Sequence, residues 1–385
     1  MLRLAAGVAA VLLLGRAPPA YAQFPPITNR DFAIDLYDGV AIGDSTQVGM
    51  GGAGGAVING TAGVLLNPSA IAVRSTTDHG TWGLDDHLDV LTGQYSSDYD
   101  NNGRVASGGA SLLTAGIGGH HNTWALAVTV TVQDAPVGAD DSGLDAETLR
   151  TRFVLAKAFP ALDLAIGAGV QRATFELQAG STLFSISGQG LIAGATWLPH
   201  LQSFRVAASL DSAVDGGQVQ TDACDPASCR GRILPDRVRS PWRAVASGAY
   251  RLAHTDWNQD MPGPFRDEYA LTLAADVVVT GATGNGFGLE AFGMQELQRS
   301  GRHTAVSVRG GADVEAVPGR LRLRAGAYWE PARFDGVPGR LHGTFGVDLR
   351  VLELWLFGPR RIRLSALGDV ASQYRNVGLS IGFWH

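Results

Sequence analysis

From about residue 86 to the end of the chain one pattern recurs, in which large apolar residues hold every second position and small or polar residues fill the positions between. A repeat of two is the repeat of a β-strand, whose successive side chains point to opposite faces. It persists over so many segments only when the two faces meet two different surroundings. The last ten residues show it plainly: Val377, Leu379, Ile381 and Phe383 fall on one face and Gly378, Ser380 and Gly382 on the other. Segments of this kind are expected at 87–98, 105–116, 123–133, 147–159, 162–177, 181–198, 203–215, 238–252, 267–296, 303–315, 319–329, 341–354, 361–369 and 376–384, about fourteen in all. The span 267–296 reads as one long strand kinked where Gly281, Gly284 and Gly286 cluster.

The start of the chain narrows the possibilities. Arg3, an apolar stretch over 4–14 and a small-x-small site at Ala20-Tyr21-Ala22 make residues 1–22 a secretory signal peptide, with no Cys after the cut to carry a lipid anchor. No later stretch has eighteen uninterrupted apolar residues, which removes helical membrane spans. An exported chain of alternating strands then reads as an all-β protein, a transmembrane antiparallel β-barrel of about fourteen strands. The composition agrees, with 51 Gly, 45% hydrophobic and only 17% charged residues among 385. The net charge of -6 disfavours a nucleic-acid partner.

Turn lengths alternate. Short connections are expected near 118–122, 160–161, 199–200, 317–319 and 358–360, and longer polar ones at 134–146, 216–237 and 331–340, as periplasmic turns and extracellular loops alternate in such barrels. Leu126, Val128, Leu162, Leu164, Val377 and Leu379 should meet lipid. In the last strands the opposite face becomes charged, with Arg309, Asp313, Arg322, Arg324, His342, Asp348, Arg350, Arg363 and Asp369; charges facing hydrocarbon are costly, so these should line the lumen and pair there. Trp82, Tyr95, Tyr99, Trp197, Trp242, Trp257, Trp329 and Trp355 lie near strand ends, where interfacial aromatic girdles form.

Both cysteines lie in one polar loop expected on the extracellular side. Cys224 and Cys229 flank Pro226 and are expected to form a disulfide in an oxidising compartment; two thiolates with no second pair or His make a poor zinc site. His120-His121 reads as a solvated turn rather than a metal site. No Gly-x-Ser-x-Gly elbow is present, and Gly49 to Gly55 lacks the Lys and Ser/Thr of a phosphate loop, so the chain reads as a non-enzyme that needs no cofactor or metal.

Residues 43–73 break the strand pattern, being rich in Gly, Ala and small polar residues. Asn67-Pro68-Ser69 reads as a turn into a short helix. The segment around Gly51, Gly52, Gly54, Gly55 and Asn67-Pro68-Ser69, the run Leu321 to Tyr328 with Pro331, Pro338 and residues 344–347 after it, and the terminal strand together resemble the long-chain fatty-acid outer-membrane transporter (FadL) family. That family carries Asn-Pro-Ala where this chain has Ser69. The terminal aromatics Phe383 and Trp384, with His385 appended, resemble the signal read by the barrel-assembly machinery.

The resemblance implies a barrel plugged by its N-terminal residues, so that after the signal peptide (1–22) the chain is expected to divide into a hatch inside the lumen (23–75) and the barrel (76–385). It also implies passive uptake of a hydrophobic small-molecule ligand, with outer-membrane lipid around the wall and a sideways exit at a kinked strand. A second function stays open, a non-transporting barrel that scaffolds or gates a secretion or surface-assembly complex. A transporter needs a movable plug beside an apolar pocket, whereas a scaffold fills its lumen.

Overall fold

Fourteen strands run antiparallel, each hydrogen-bonded to its sequence neighbours, and the last closes on the first. In the computed structural model, which describes residues 24–36, 43–93, 98–105, 110–137, 143–355 and 359–383, they are β1 (Trp82–Gly93), β2 (Ser111–His121), β3 (Trp124–Val137), β4 (Leu144–Phe159), β5 (Leu164–Gln178), β6 (Thr182–Trp197), β7 (Phe204–Asp211), β8 (Arg243–Ala253), β9 (Ala270–Thr280), β10 (Ala305–Val317), β11 (Leu321–Glu330), β12 (Arg340–Trp355), β13 (Pro359–Ala371) and β14 (Tyr374–Phe383). Residues 376–382 of β14 lie opposite residues 93–87 of β1. Closure removes the free edge that no sheet can expose to hydrocarbon.

The alternation becomes an outside and an inside. Leu126 is 64% exposed, whereas its neighbours Ala125 and Ala127 are 2% and 4%. Val170, Leu191, Phe345, Leu379 and Ile381 continue the outer apolar band. A bulge between Arg350 and Leu352 shifts the register of β12 against β13, so Val351 and Leu352 both face outward while Arg350 stays half-buried on the inner side. Trp82, Trp124, Trp197 and Trp355 are exposed at the rim with the shorter turns, an arrangement that suits a membrane interface.

A second, four-stranded sheet stands at the other rim. Its order is Gly286–Phe287, Ala33–Asp35, Arg237–Ser240, Val214–Gln218, with the N-terminal strand running parallel to both neighbours. The N-terminal segment is thus held at the long-loop mouth, and the chain emerges at the opposite rim to start β1. Residues 43–73 carry α1 (Ser45–Gly49), α2 (Gly60–Val64) and a 3-10 helix, Pro68–Ala72. Their hydrogen-bond partners sit on β1, β6, β7, β9, β10, β12, β13 and β14, on every side of a closed wall, so this segment lies inside the lumen.

Several expectations are corrected. The span 267–296 is not one kinked wall strand: β9 ends at Thr280, and the chain then leaves the wall for the rim sheet and a short helix, α3 (Leu289–Gly293). Gly281, Gly284 and Gly286 therefore belong to a rim connection, because the glycines end the ladder rather than bend it. The runs 203–215 and 238–252 each divide into a wall strand and a rim-sheet strand, since the barrel is lower there and the rim sheet takes over the pairing. The second strand begins at Ser111, not at 105. His120 and His121 end β2 rather than forming a turn. Phe383 is buried, with the Arg360 guanidinium 5.3 Å from its ring centroid. Trp257 is buried beneath Arg205, whose guanidinium lies 4.1 Å from its ring, and so is no part of a girdle. The connection 254–269 is a long one on the short-turn rim, and 179–181 and 372–373 are short ones on the other, so loop length sorts by rim only in the main. The expected signal peptide, Tyr95, Trp384 and His385 lie outside the described residues.

Placing Arg at Val170, in the middle of β5 on the outer face, should cost about 2 to 4 kcal/mol. Ala173→Ser, on the inner face of the same strand, should leave folding nearly unchanged. Urea titration of the heat-modifiable band on gels measures both; equal sensitivity of the two variants would contradict the assignment of faces.

Candidate functional site: a plugged lumen

The hatch is seated by backbone contact, which small residues on both sides make possible. Gly51 has φ +67°, and a Cβ there would stand 2.7 Å from Ala327 N and from Gly310 O. On the wall, a Cβ at Gly326 would come 2.4 Å from Met50 C, one at Gly194 2.1 Å from Asn67 Oδ1, and one at Gly167 2.3 Å from Pro68 O. These wall glycines are the sockets of the plug. Their absence of side chain lets the hatch backbone reach the polar groups of the inner face.

Those groups account for the hatch donors and acceptors in turn. Gly51 N donates to Thr344 Oγ1 at 2.9 Å, and that hydroxyl donates to Gly49 O at 3.1 Å. Gly52 O accepts from Arg309 Nη1 at 3.1 Å. Gly54 N and Gly55 N both donate to Asp276 Oδ2, at 3.0 and 3.2 Å. Asn67 caps the 3-10 helix by accepting from Ser69 N, and its Nδ2 donates to Thr196 Oγ1 at 2.9 Å, while Ser69 Oγ lies 2.8 Å from the same hydroxyl. All seven residues singled out in this segment, Gly51, Gly52, Gly54, Gly55, Asn67, Pro68 and Ser69, therefore meet the wall.

The inner charges form a connected set. Arg324 grips Asp348 with two bonds of 2.6 and 2.5 Å and reaches Asp313 at 2.6 Å; Arg363 lies 3.0 Å from Asp348 and 3.5 Å from Asp44 of the hatch. His342 sits between Asp369 at 2.9 Å and Glu330 at 3.0 Å. Arg322 pairs with Glu315 at 3.2 Å. Arg350 stands apart at the short-turn end, 3.5 Å from the half-exposed Glu353. Paired and hydrogen-bonded charges of this kind make the inner wall rigid, because removing one partner leaves a buried charge uncompensated.

An apolar cluster and a cavity flank the hatch. Toward the long loops lies the cluster, containing Phe32, Ile34, Phe175, Phe184, Phe287 and Phe292. The first two come from the N-terminal strand, and Phe32 packs edge-on to Phe287 with ring centroids 6.1 Å apart. Asp35 anchors that strand: its carboxylate takes Arg333 Nε at 2.8 Å and Nη2 at 3.0 Å, with Ser300 and Thr283 hydroxyls donating as well. Toward the short turns lies a cavity of about 440 Å³ of mixed character, lined by Arg205, Arg251, Arg322 and Glu315 together with Trp257 and Phe265 among others. Its rim holds Asp78. Burial alone would raise this carboxyl, but hydrogen bonds from Arg74 and His120 outweigh it and keep the group below its ordinary range.

Sequence reasoning did not find the apolar chamber, because its residues come from the N-terminal strand, four wall strands and three loops. It did not find Asp35, Thr196, Asp276 or Thr344 as hatch anchors either; isolated polar residues carry no motif. The kink residues Gly281 and Gly284 present carbonyls to Arg333 and Arg239, and Gly286 pairs beside Ala33, all at the long-loop mouth. Cys224 and Cys229 are bonded to each other in the loop between the two rim-sheet strands Val214–Gln218 and Arg237–Ser240.

Gly326→Val should push Met50 and Gly51 off the wall while leaving β11 able to pair. The expected outcome is a heat-modifiable, folded barrel whose segment 43–73 becomes cleavable by protease; a hatch as protected as in the parent would contradict the seat. In protein recovered from the cell envelope, Cys224 and Cys229 should react with iodoacetamide only after reduction, and mass spectrometry of the peptides checks this.

No family model and no curated protein matches the sequence. Solved structures do. The CymD monoaromatic hydrocarbon channel superposes with a TM-score of 0.55 at 13% identity, over 89% of this chain and 97% of that one. The toluene transporter TodX of P. putida gives 0.54 at 12% identity, over 89% and 98%. A closed fourteen-strand barrel with its N-terminal segment packed inside is thus set beside two channels along nearly their whole length, and the fold of this chain is that of the hydrocarbon channel CymD and the toluene transporter TodX.

Proposed function

We propose that this protein is an outer-membrane channel for passive uptake of hydrophobic compounds, with monoaromatic hydrocarbons and long-chain fatty acids as candidate cargo. In this reading residues 1–22 export the chain, 23–75 form the hatch and 76–385 the barrel. The observation that carries the reading is the aromatic cluster inside the long-loop mouth, contiguous with the N-terminal strand in a fold shared with hydrocarbon channels. A dry, Phe-lined pocket binds apolar ligands and repels ions. Phe32 and Ile34 occupy it, so cargo enters as this strand shifts away from Phe287 and Phe292. No reacting group is needed, and the inner charges serve to hold the hatch and shape the path.

The filled chamber also supports a second reading, a barrel that does not transport and serves as a scaffold. Truncating both plugging side chains separates the two. Phe32→Ala with Ile34→Ala removes roughly 2 to 5 kcal/mol of packing per site and opens space in the chamber. In a host without its own hydrocarbon transporter, uptake of labelled toluene or oleate should require the intact protein and rise at least twofold in the double variant. If neither protein confers uptake of either probe although both assemble in the outer membrane, transport is excluded and the scaffold reading stands.

A further inference from the structure

The described part of the loop between β1 and β2 reads Asp98-Tyr99-Asp100-Asn101-Asn102-Gly103, the D-x-D-x-N-G order with which calcium loops begin. It is also folded as one. Asn101 has φ 57° and Gly103 φ 84°, and the Asp98 carboxylate accepts from Asn102 N and Gly103 N, both at 3.0 Å, which wraps the loop around its own first residue. The pattern lacks its usual acidic last ligand, since the twelfth position is Gly109. Glu290, from α3 across the mouth, approaches instead and accepts from Asn102 Nδ2 at 2.7 Å.

Two observations outside the loop's own geometry point to a missing positive partner. Asp100 Oδ1 is shut off from solvent and has no hydrogen-bond partner among the described residues. Of the cations nearby, Arg104 pairs with Glu296 at 2.7 Å, and Arg340 donates Nε to Glu330 at 2.5 Å and forms a 3.8 Å ion pair with Asp98, so neither is paired with Asp100 or Glu290. Asp100 and Glu290 have no ion pair among the described residues. Burial pushes Asp98 up to about 6 and Glu290 up to about 7, and holds Asp100 well above the ordinary carboxylate range, each raised further by its acidic neighbours.

The geometry points to a calcium site at the long-loop mouth, with oxygens from Asp98, Asp100, Asn102 and Glu290 and the backbone carbonyl of Arg104. Hard oxygen donors without thiolate or imidazole suit calcium, which accepts six to eight of them in flexible arrangements. No three His, Cys, Asp or Glu side chains among the described residues already form a metal-holding group. The acidic side chains must therefore rotate inward on binding, as a flexible calcium loop does. Asp98 N bonds to Gln373 O, Asn101 Nδ2 to Pro338 O, and Gln298 Nε2 to Asn102 O, so the ion would tie four loops together over the mouth.

The test uses the full-length protein in detergent, stripped with EDTA and titrated with CaCl2 or MgCl2 by calorimetry and thermal melting. Calcium should bind with a dissociation constant of about 10⁻⁴ to 10⁻³ M, the range of extracellular modules, and raise the melting temperature by several degrees. Magnesium should do far less. Asp100→Asn should abolish the calcium shift without lowering the melting point in EDTA, because it also removes repulsion; a merely structural Asp100 would lower it. Glu290→Gln should weaken binding about tenfold or more. Absence of calcium binding in the parent, an equal response to magnesium, or an unchanged calcium shift in Asp100→Asn would each overturn the site.

Discussion

The rest of this structure depends on contact between the hatch backbone and the inner wall. A lumen enclosed by fourteen strands is too wide for wall side chains alone to fill, and a polar inner face left without partners would cost free energy at every unpaired group. The hatch meets both demands. Its backbone amides and carbonyls are taken by Thr344, Asp276, Arg309 and Arg152, and the Asn67 side chain by Thr196. Wall glycines set the approach distance, so a single added Cβ on either side separates the two surfaces.

This arrangement makes the hatch part of the wall's own stability rather than a loose stopper. Arg363 joins Asp348 on the neighbouring strand to Asp44 on the hatch, and Arg152 joins Asp211 to the carbonyls of Val64 and Leu65. Movement of the whole plug would break many charged contacts at once. The N-terminal strand at the mouth is held differently, by backbone pairing to a strand on either side, by apolar packing and by the one carboxylate of Asp35.

The two ends of the lumen differ. Above the hatch, Phe32 and its neighbours pack into one apolar cluster; below it lies a cavity whose lining mixes arginines and carboxylates with Trp82, Trp257 and Phe265. The strand kink expected to open the wall is absent at 281–288, where the chain has already left the sheet.

Much of the wall was legible in the sequence because alternation is local. Each of the fourteen expected segments overlaps one wall strand, and Val377, Leu379 and Ile381 face outward because a period of two leaves no other choice once one face is lipid. The helix after Asn67 was legible for the same reason, since a cap and a Pro act within one turn. What the sequence could not determine was anything that depends on which strands stand opposite each other. Only the closed fold decided that Asp276 receives Gly54 and Gly55, that Phe32 fills a chamber lined by Phe175 and Phe184, and that Glu290 approaches Asn102 across 188 positions of chain. Strand pairing over long sequence separations carries no local signature; it follows from burying one face, closing one edge and pairing inward groups across the lumen.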